Sequence, residues 1–272
     1  MTVHAPISRR LLIKDMGKAG LAVVVFGASA CSDQPTSNAT PTEEPASPST
    51  LRPETTSTDP VTSSSAASAT VATAGHQWHR ADLGFVSAYI LYRNGEAALV
   101  DTGVGDSETA IETALGDVGL TWDAVGHLIV THKHPDHQGS VDAVVIAASA
   151  PWYAGAGDID QITASTEGSV VGDGDDVFGL TIIETPGHTP GHISVLDPVS
   201  GILVTGDALN GAEGGGIGGP RPDFSEDIDQ ANASVAKLAG FDFEVALFGH
   251  GEPVLEGASG LVTDLADSLG GG

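Results

Sequence analysis

Residues 132–137 read His-Lys-His-Pro-Asp-His. Three imidazoles and a carboxylate within six positions constrain the fold more than any other feature of the chain. Burying so many polar atoms is costly unless each finds a partner, and a metal ion is the partner that satisfies them together. The cluster follows an apolar run at 127–131, His-Leu-Ile-Val-Thr, which reads as a short buried strand. It therefore sits at a strand end, where a rigid sheet can aim a loop. In extended chain, residues two apart point to the same side, so His132 and His134 can grip one ion. Pro135 turns the chain and sets Asp136 and His137 toward a neighbouring position.

Four further apolar runs end in residues of the same kind. Ala97–Val100 runs into Asp101, and Leu180–Ile183 precedes Thr-Pro-Gly-His-Thr-Pro-Gly-His at 185–192. A third strand ends in Val-Thr-Gly-Asp at 204–207, and a fourth, Val245–Leu247, leads to Phe-Gly-His at 248–250. Strand ends converging on one sheet edge are where α/β proteins build sites.

Taken in order, H-x-H-x-D-H, G-H-T, G-D and G-H resemble the metallo-β-lactamase superfamily, over roughly residues 75–272. The resemblance implies an α/β fold, an αββα sandwich with two metals between its sheets. By the family motif His132, His134 and His188 hold the first metal. Asp136, His137 and His250 hold the second, Asp207 bridges both, and Asp101 supports the site without binding metal.

Imidazole and carboxylate suit zinc, with iron or manganese as alternatives. The implied cofactor is two Zn2+ per chain. Two ions about 3.5–4 Å apart can share a hydroxide formed near pH 7. Asp136 would orient that nucleophile and move its proton, and no serine or cysteine nucleophile is needed.

Asp207 speaks to the branch. True β-lactamases of this fold carry cysteine or serine near that place, whereas an aspartate resembles the glyoxalase II, lactonase and arylsulfatase branches. The lactonase tyrosine after this aspartate is replaced by Ala208-Leu209-Asn210, and the chain ends at Gly272, soon after His250. The expected function is hydrolysis of a small ester, thioester or lactone. The alternatives are a mononuclear iron enzyme resembling a persulfide dioxygenase, or a phosphodiesterase or sulfatase on the same site.

The front of the chain reads differently. Ser8-Arg9-Arg10-Leu11-Leu12-Ile13-Lys14 resembles a twin-arginine export signal. The apolar run from Ala19 to Ala30 falls short of the roughly 20 residues that span a bilayer. Ala28-Ser29-Ala30-Cys31 resembles a lipoprotein cleavage site, with Cys31, the only cysteine, receiving the lipid. Cleavage near Ala30 as a plain secretory peptide is the alternative. Residues 1–31 are thus expected to be a signal, and 32–74, rich in Ser, Thr and Pro, a disordered tether. Residues 75–272 suffice for one domain. The expected location is extracytoplasmic, with the membrane contacted only through Cys31. A net charge of −26 repels nucleic acid, so the expected partner is a small-molecule substrate. No motif sets an oligomeric state.

Two helices are expected, residues 107–119 with Ser107 as N-cap and 225–238 with Ser225 as N-cap and Gly240 as stop. His192 is expected to support the site from outside it, while His76, His79 and His127 match no motif. The glycine-rich stretch 211–222 is expected to rim the site, with Arg221 able to receive a substrate carboxylate. Trp78, Trp152 and Tyr153 are candidates for the pocket wall, and 152–157 for a specificity loop.

Overall fold

Alternation along the central strands decides the layering. The computed structural model describes residues 75–212 and 214–270. One sheet runs in the order β1 (Gln77–Asp82), β2 (Ser87–Arg93), β3 (Glu96–Val100), β4 (Val125–Ile129), β5 (Trp152–Gly155) and β6 (Ser169–Val171). Its first three strands pair antiparallel and the rest parallel. The second sheet contains β7 (Asp176–Val177), β8 (Leu180–Glu184), β9 (Ile193–Asp197) and β10 (Ile202–Val204). A separate hairpin, β11 (Asn210–Ala212) with β12 (Gly216–Gly218), follows, and β13 (Val245–Leu247) closes the second sheet beside β10. The helices are α1 (Glu108–Asp117), α2 (Pro135–Gln138), α3 (Val141–Ala148), α4 (Ile228–Leu238) and α5 (Ala258–Gly270).

Successive side chains of a strand point to opposite faces. In β2 and β3, Ile90 and Leu99 therefore pack on Ile111 and Leu115 of α1 and Val144 of α3. Tyr89, Leu91 and Val100 face the second sheet, against Ile182, Val195 and Val204. The outer face of that sheet, with Ile183, Leu196 and Leu203, closes on Val235 and Leu238 of α4 and Val262 of α5. Helices, sheet, sheet, helices is the αββα sandwich that the motifs imply. Each such fully buried side chain contributes about 1.5–3 kcal/mol.

Local boundaries shift for identifiable reasons. The strand expected at 127–131 ends its regular pairing at Ile129, because the Thr131 N–H turns to the Asp101 carboxylate at 2.7 Å. The N-cap of α4 is Asp227, not Ser225: the Asp227 carboxylate accepts the Gln230 N–H at 2.9 Å. A carboxylate at the positive helix end outcompetes a hydroxyl two residues earlier, and Ser225 serves elsewhere. The signal-like and tether-like segments lie outside the described residues. Among the described residues no helix is long and apolar enough to cross a membrane.

Candidate metal centre

The loops leaving β4, β8, β10 and β13 bring all seven expected ligands to one place, and the loop leaving β3 brings Asp101 beside them. Among the described residues, three groups have ligand atoms within 4.8 Å of one another: His132–His134–His188, His132–His137–Asp207 and Asp136–His137–His250. His134 Nδ1 lies 3.1 Å from His132 Nε2 and 2.9 Å from His188 Nε2. Asp136 Oδ2 lies 3.3 Å from His250 Nε2. Asp207 stands between the clusters, with Oδ2 at 3.5 Å from His188 Nε2 and 3.4 Å from His250 Nε2, and Oδ1 at 3.3 Å from His137 Nε2.

The outer nitrogen of four histidines is fixed by a partner that sets the tautomer. Thr131 Oγ1 donates to Asp101 Oδ2 at 2.8 Å, so it accepts from His132 Nδ1 at 3.0 Å. His137 Nδ1 donates to Asp101 Oδ2 at 2.8 Å, and His250 Nδ1 to the Phe85 carbonyl at 2.7 Å. Ser225 Oγ donates to the Arg221 carbonyl at 2.9 Å and faces His188 Nδ1 at 3.4 Å. Each arrangement leaves Nε2 toward the centre. Asp101, expected as a support, thus serves two histidines and the β4 loop, from a backbone held at φ 64°.

His192 is not among the converging donors. Its Nε2 accepts the Asp207 backbone N–H at 3.0 Å and its Nδ1 pairs with Thr185 Oγ1 at 2.8 Å, the supporting role expected of it. Asp158 is a residue that no motif singled out. Fully buried, it accepts the Lys133 N–H at 3.0 Å, the Gly191 N–H at 2.9 Å and the Thr189 hydroxyl, which ties the His-Lys-His loop to the loop carrying His188. Its only signal is a position after β5, at the same sheet edge. Gly249 has no room for a side chain, since a Cβ there would collide with Asp207 and His137.

Burial holds the His132 imidazole well below its ordinary pKa and brings His188 down to about 4, the nearby Asp207 charge notwithstanding. Burial also lowers His134. For His137 burial is outweighed by the Asp101 and Asp207 carboxylates, which hold it well above the usual range. Hydrogen bonds to Asp136 and Asp207 raise His250 to about 10. Burial of Asp207 opposes its charge, yet His137 and its neighbours hold the carboxyl well below the usual value. These donors fit a pair of divalent ions. Asp207 Oδ1 is buried with no hydrogen-bond partner, and the remaining inward atoms are imidazole nitrogens and a second carboxylate, a donor set suited to zinc, iron or manganese.

A cavity of about 730 Å³ opens over the centre, and Asp136, His188, Asp207 and His250 form its floor. The aromatic residues at its wall are Phe85 and Phe224, not the expected Trp78, Trp152 and Tyr153. Trp152 is core, its Nε1 donating to the Thr166 carbonyl at 3.1 Å, Trp78 packs edge-on against Tyr89, and Tyr153 lies beside His127. Among the described residues of the glycine-rich stretch only Arg221 reaches the lining, because Asn210–Ala212 and Gly216–Gly218 pair as the β11–β12 hairpin. Most of 152–157 is strand β5 and lines no part of this cavity.

The metallo-beta-lactamase superfamily model matches residues 81–250. A hydroxyacylglutathione hydrolase of Methylobacillus flagellatus is 35% identical over 128 residues, which cover 46% of this chain and 47% of that protein. The chain spans about half the length of the hydroxyacylglutathione hydrolases it matches. The metallo-beta-lactamase family protein TTHA1429 of Thermus thermophilus superposes with TM-score 0.57 at 22% identity, covering 72% of this chain and 80% of that one. TTHA1623, solved in a di-iron-bound form, superposes with TM-score 0.55 at 24% identity over 65% of this chain and 92% of its own. Shared fold, ordered motifs and a family match over most of the described residues together make this chain a member of the metallo-beta-lactamase superfamily.

Proposed function

We propose that the protein is a dinuclear metal-dependent hydrolase of a small ester, thioester or lactone. The observation that carries this reading is the position of Asp207, a buried carboxylate within 3.5 Å of His137, His188 and His250 that keeps one oxygen free of hydrogen bonds. His132, His134 and His188 would hold one ion and Asp136, His137 and His250 the other, with Asp207 shared. Zinc is the proposed ion, and iron or manganese would suit the same donors.

When bound, two such ions supply Lewis acidity and a water that ionises near pH 7. The chain provides the rest. Asp136 lines the cavity and is held ionised by its contact with His250, so its carboxylate is placed to take the proton of the attacking water and return it to the leaving oxygen or sulfur. Asp101, Thr131 and Ser225 keep the imidazoles oriented. Similarity to hydroxyacylglutathione hydrolases supports a thioester or ester as the bond cleaved.

The test is metal content of the purified protein by mass spectrometry, beside a panel of lactone, thioester, phosphodiester, aryl sulfate and β-lactam substrates. About two ions per chain with chelator-sensitive hydrolysis of an ester, thioester or lactone is expected. One iron per chain with oxygen uptake and no hydrolysis would replace this reading with the persulfide-dioxygenase alternative.

We further propose that residues 1–31 export the chain and that Cys31 carries a lipid, with 32–74 as tether. The Ser8–Lys14 and Ala28–Cys31 patterns support this. Cys31→Ala should move the protein from the membrane fraction to the soluble extracytoplasmic fraction; an unchanged distribution would refute the anchor.

A further inference from the structure

Among the described residues, two phenylalanines are more than half exposed, Phe85 at 66% and Phe224 at 56%, and both line the cavity over the metal centre. A single exposed phenylalanine is ordinary. Two of them on separate segments of one cavity lining are not needed for packing and leave apolar area ready for a ligand.

Each ring sits on a segment fastened to the centre. Phe85 is in the turn between β1 and β2, and its carbonyl accepts from His250 Nδ1 at 2.7 Å. Its ring lies parallel to that imidazole, 8° apart with centroids at 6.1 Å. Phe224 ends the short turn Pro222–Phe224, and its ring is covered by the Arg221 guanidinium at 4.8 Å. The next residue, Ser225, faces His188. One ring is thus tied to a histidine of each proposed ion, so a carbonyl over the centre would have an aromatic ring available from either segment.

Charge argues for the same kind of ligand. Arg221 is the one lysine or arginine in the lining, and Asp223 and Glu226 line the same segment. Nearby Lys133 is already paired with Glu226 at 2.8 Å. A ligand with two carboxylates, such as a glutathione conjugate, would meet one guanidinium flanked by two acids. A hydrocarbon group would meet two rings.

We propose that this site takes an apolar acyl or aryl ester, thioester or lactone with no free carboxylate, its hydrocarbon part held by Phe85 and Phe224; this rests on the hydrolase reading above. Water adds to the carbonyl carbon, the acyl–oxygen or acyl–sulfur bond breaks, and the water's proton leaves with the departing oxygen or sulfur.

Calorimetric titration of the zinc-loaded protein with 4-phenyl-2-butanone, which has the carbonyl and ring but no leaving group, tests the pocket apart from turnover. The ketone should bind more tightly than S-methylglutathione. Phe85→Ala and Phe224→Ala, both surface changes, should each weaken the ketone about tenfold. The KM for a phenylbutyryl thioester should rise by a similar factor. Tighter binding of S-methylglutathione, or ketone affinity indifferent to both substitutions, would overturn the proposal. Ring-dependent ketone binding without hydrolysis of any ester, thioester or lactone would uphold the pocket and reject the hydrolase reading.

Discussion

His192 Nε2 accepts the backbone N–H of Asp207 at 3.0 Å, so this histidine acts on the main chain of a proposed metal ligand. His192→Ala should leave the ion count unchanged while weakening metal affinity by roughly 10–100-fold, the usual cost of losing such a support. Competition with a chromophoric chelator measures this. Loss of a whole ion from the variant would instead make His192 a ligand.

Asp207→Ala removes the carboxylate proposed to be shared by the two ions. The variant should retain at most one ion per chain, and hydrolysis should fall by two or more orders of magnitude, on the order of 3 kcal/mol or more of transition-state stabilisation. Mass spectrometry and steady-state kinetics read both. A variant with two ions and full turnover would remove Asp207 from the bridging role.

Metal uptake should release protons. Hydrogen bonds to Asp136 and Asp207 raise His250 to about 10, so it carries a proton at pH 7.5 in the metal-free protein, and a ligating imidazole must be neutral. Loading at that pH should release at least one proton per chain, seen as a dependence of binding enthalpy on buffer ionisation enthalpy. Because the folded pKa of His250 is raised, its ion pairs stabilise the metal-free fold fully below about 6.5, and that contribution is lost as pH rises through about 10. Metal affinity should accordingly increase with pH across the same window. No proton release would contradict the assignment of His250 as a ligand.

Tyr89 is buried, donates to the Phe248 carbonyl at 2.8 Å, and burial pushes its phenol up to about 12. A raised folded pKa means that its contribution is complete below about 10 and fades as pH climbs toward 12. Tyr89→Phe should cost about 1 kcal/mol at pH 8, the worth of one buried hydrogen bond, and that deficit should shrink above pH 10. Urea titrations at both pH values check it; a deficit that grows with pH would be inconsistent with a buried neutral phenol.

How much of this was legible in the sequence depends on whether the signal is local. The convergence of His132, His134, Asp136 and His137 at one strand end is legible because their chemistry resides in side-chain identity and two of them lie two apart on extended chain. The strand cores were readable because period-2 alternation is itself the cause of layering. The α4 cap was misplaced because Ser225 and Asp227 are both competent caps, and only tertiary contacts decide between them: Ser225 is held by Arg221 and faces His188, which leaves Asp227 for the helix. Phe85 escaped notice because a lone phenylalanine in a hairpin turn has no pattern, and its place over the site follows from sheet register and its carbonyl's bond to His250. The tryptophans misled for the converse reason: large aromatics serve a core as readily as a pocket. Asp158 acts through space on two loops and leaves no periodic trace.

The hydrogen bond from His250 to the Phe85 carbonyl also bears on how such a site can diversify. The hydrogen bond that orients the imidazole comes from main chain, so a change of side chain at position 85 would remove the ring beside the imidazole but leave that hydrogen bond in place. The length of the turn from Leu83 to Val86 is not free, because a one-residue insertion would carry the carbonyl away from Nδ1. Substitution at the hairpin tip would therefore keep the bond to His250, whereas a change of loop length there would break it.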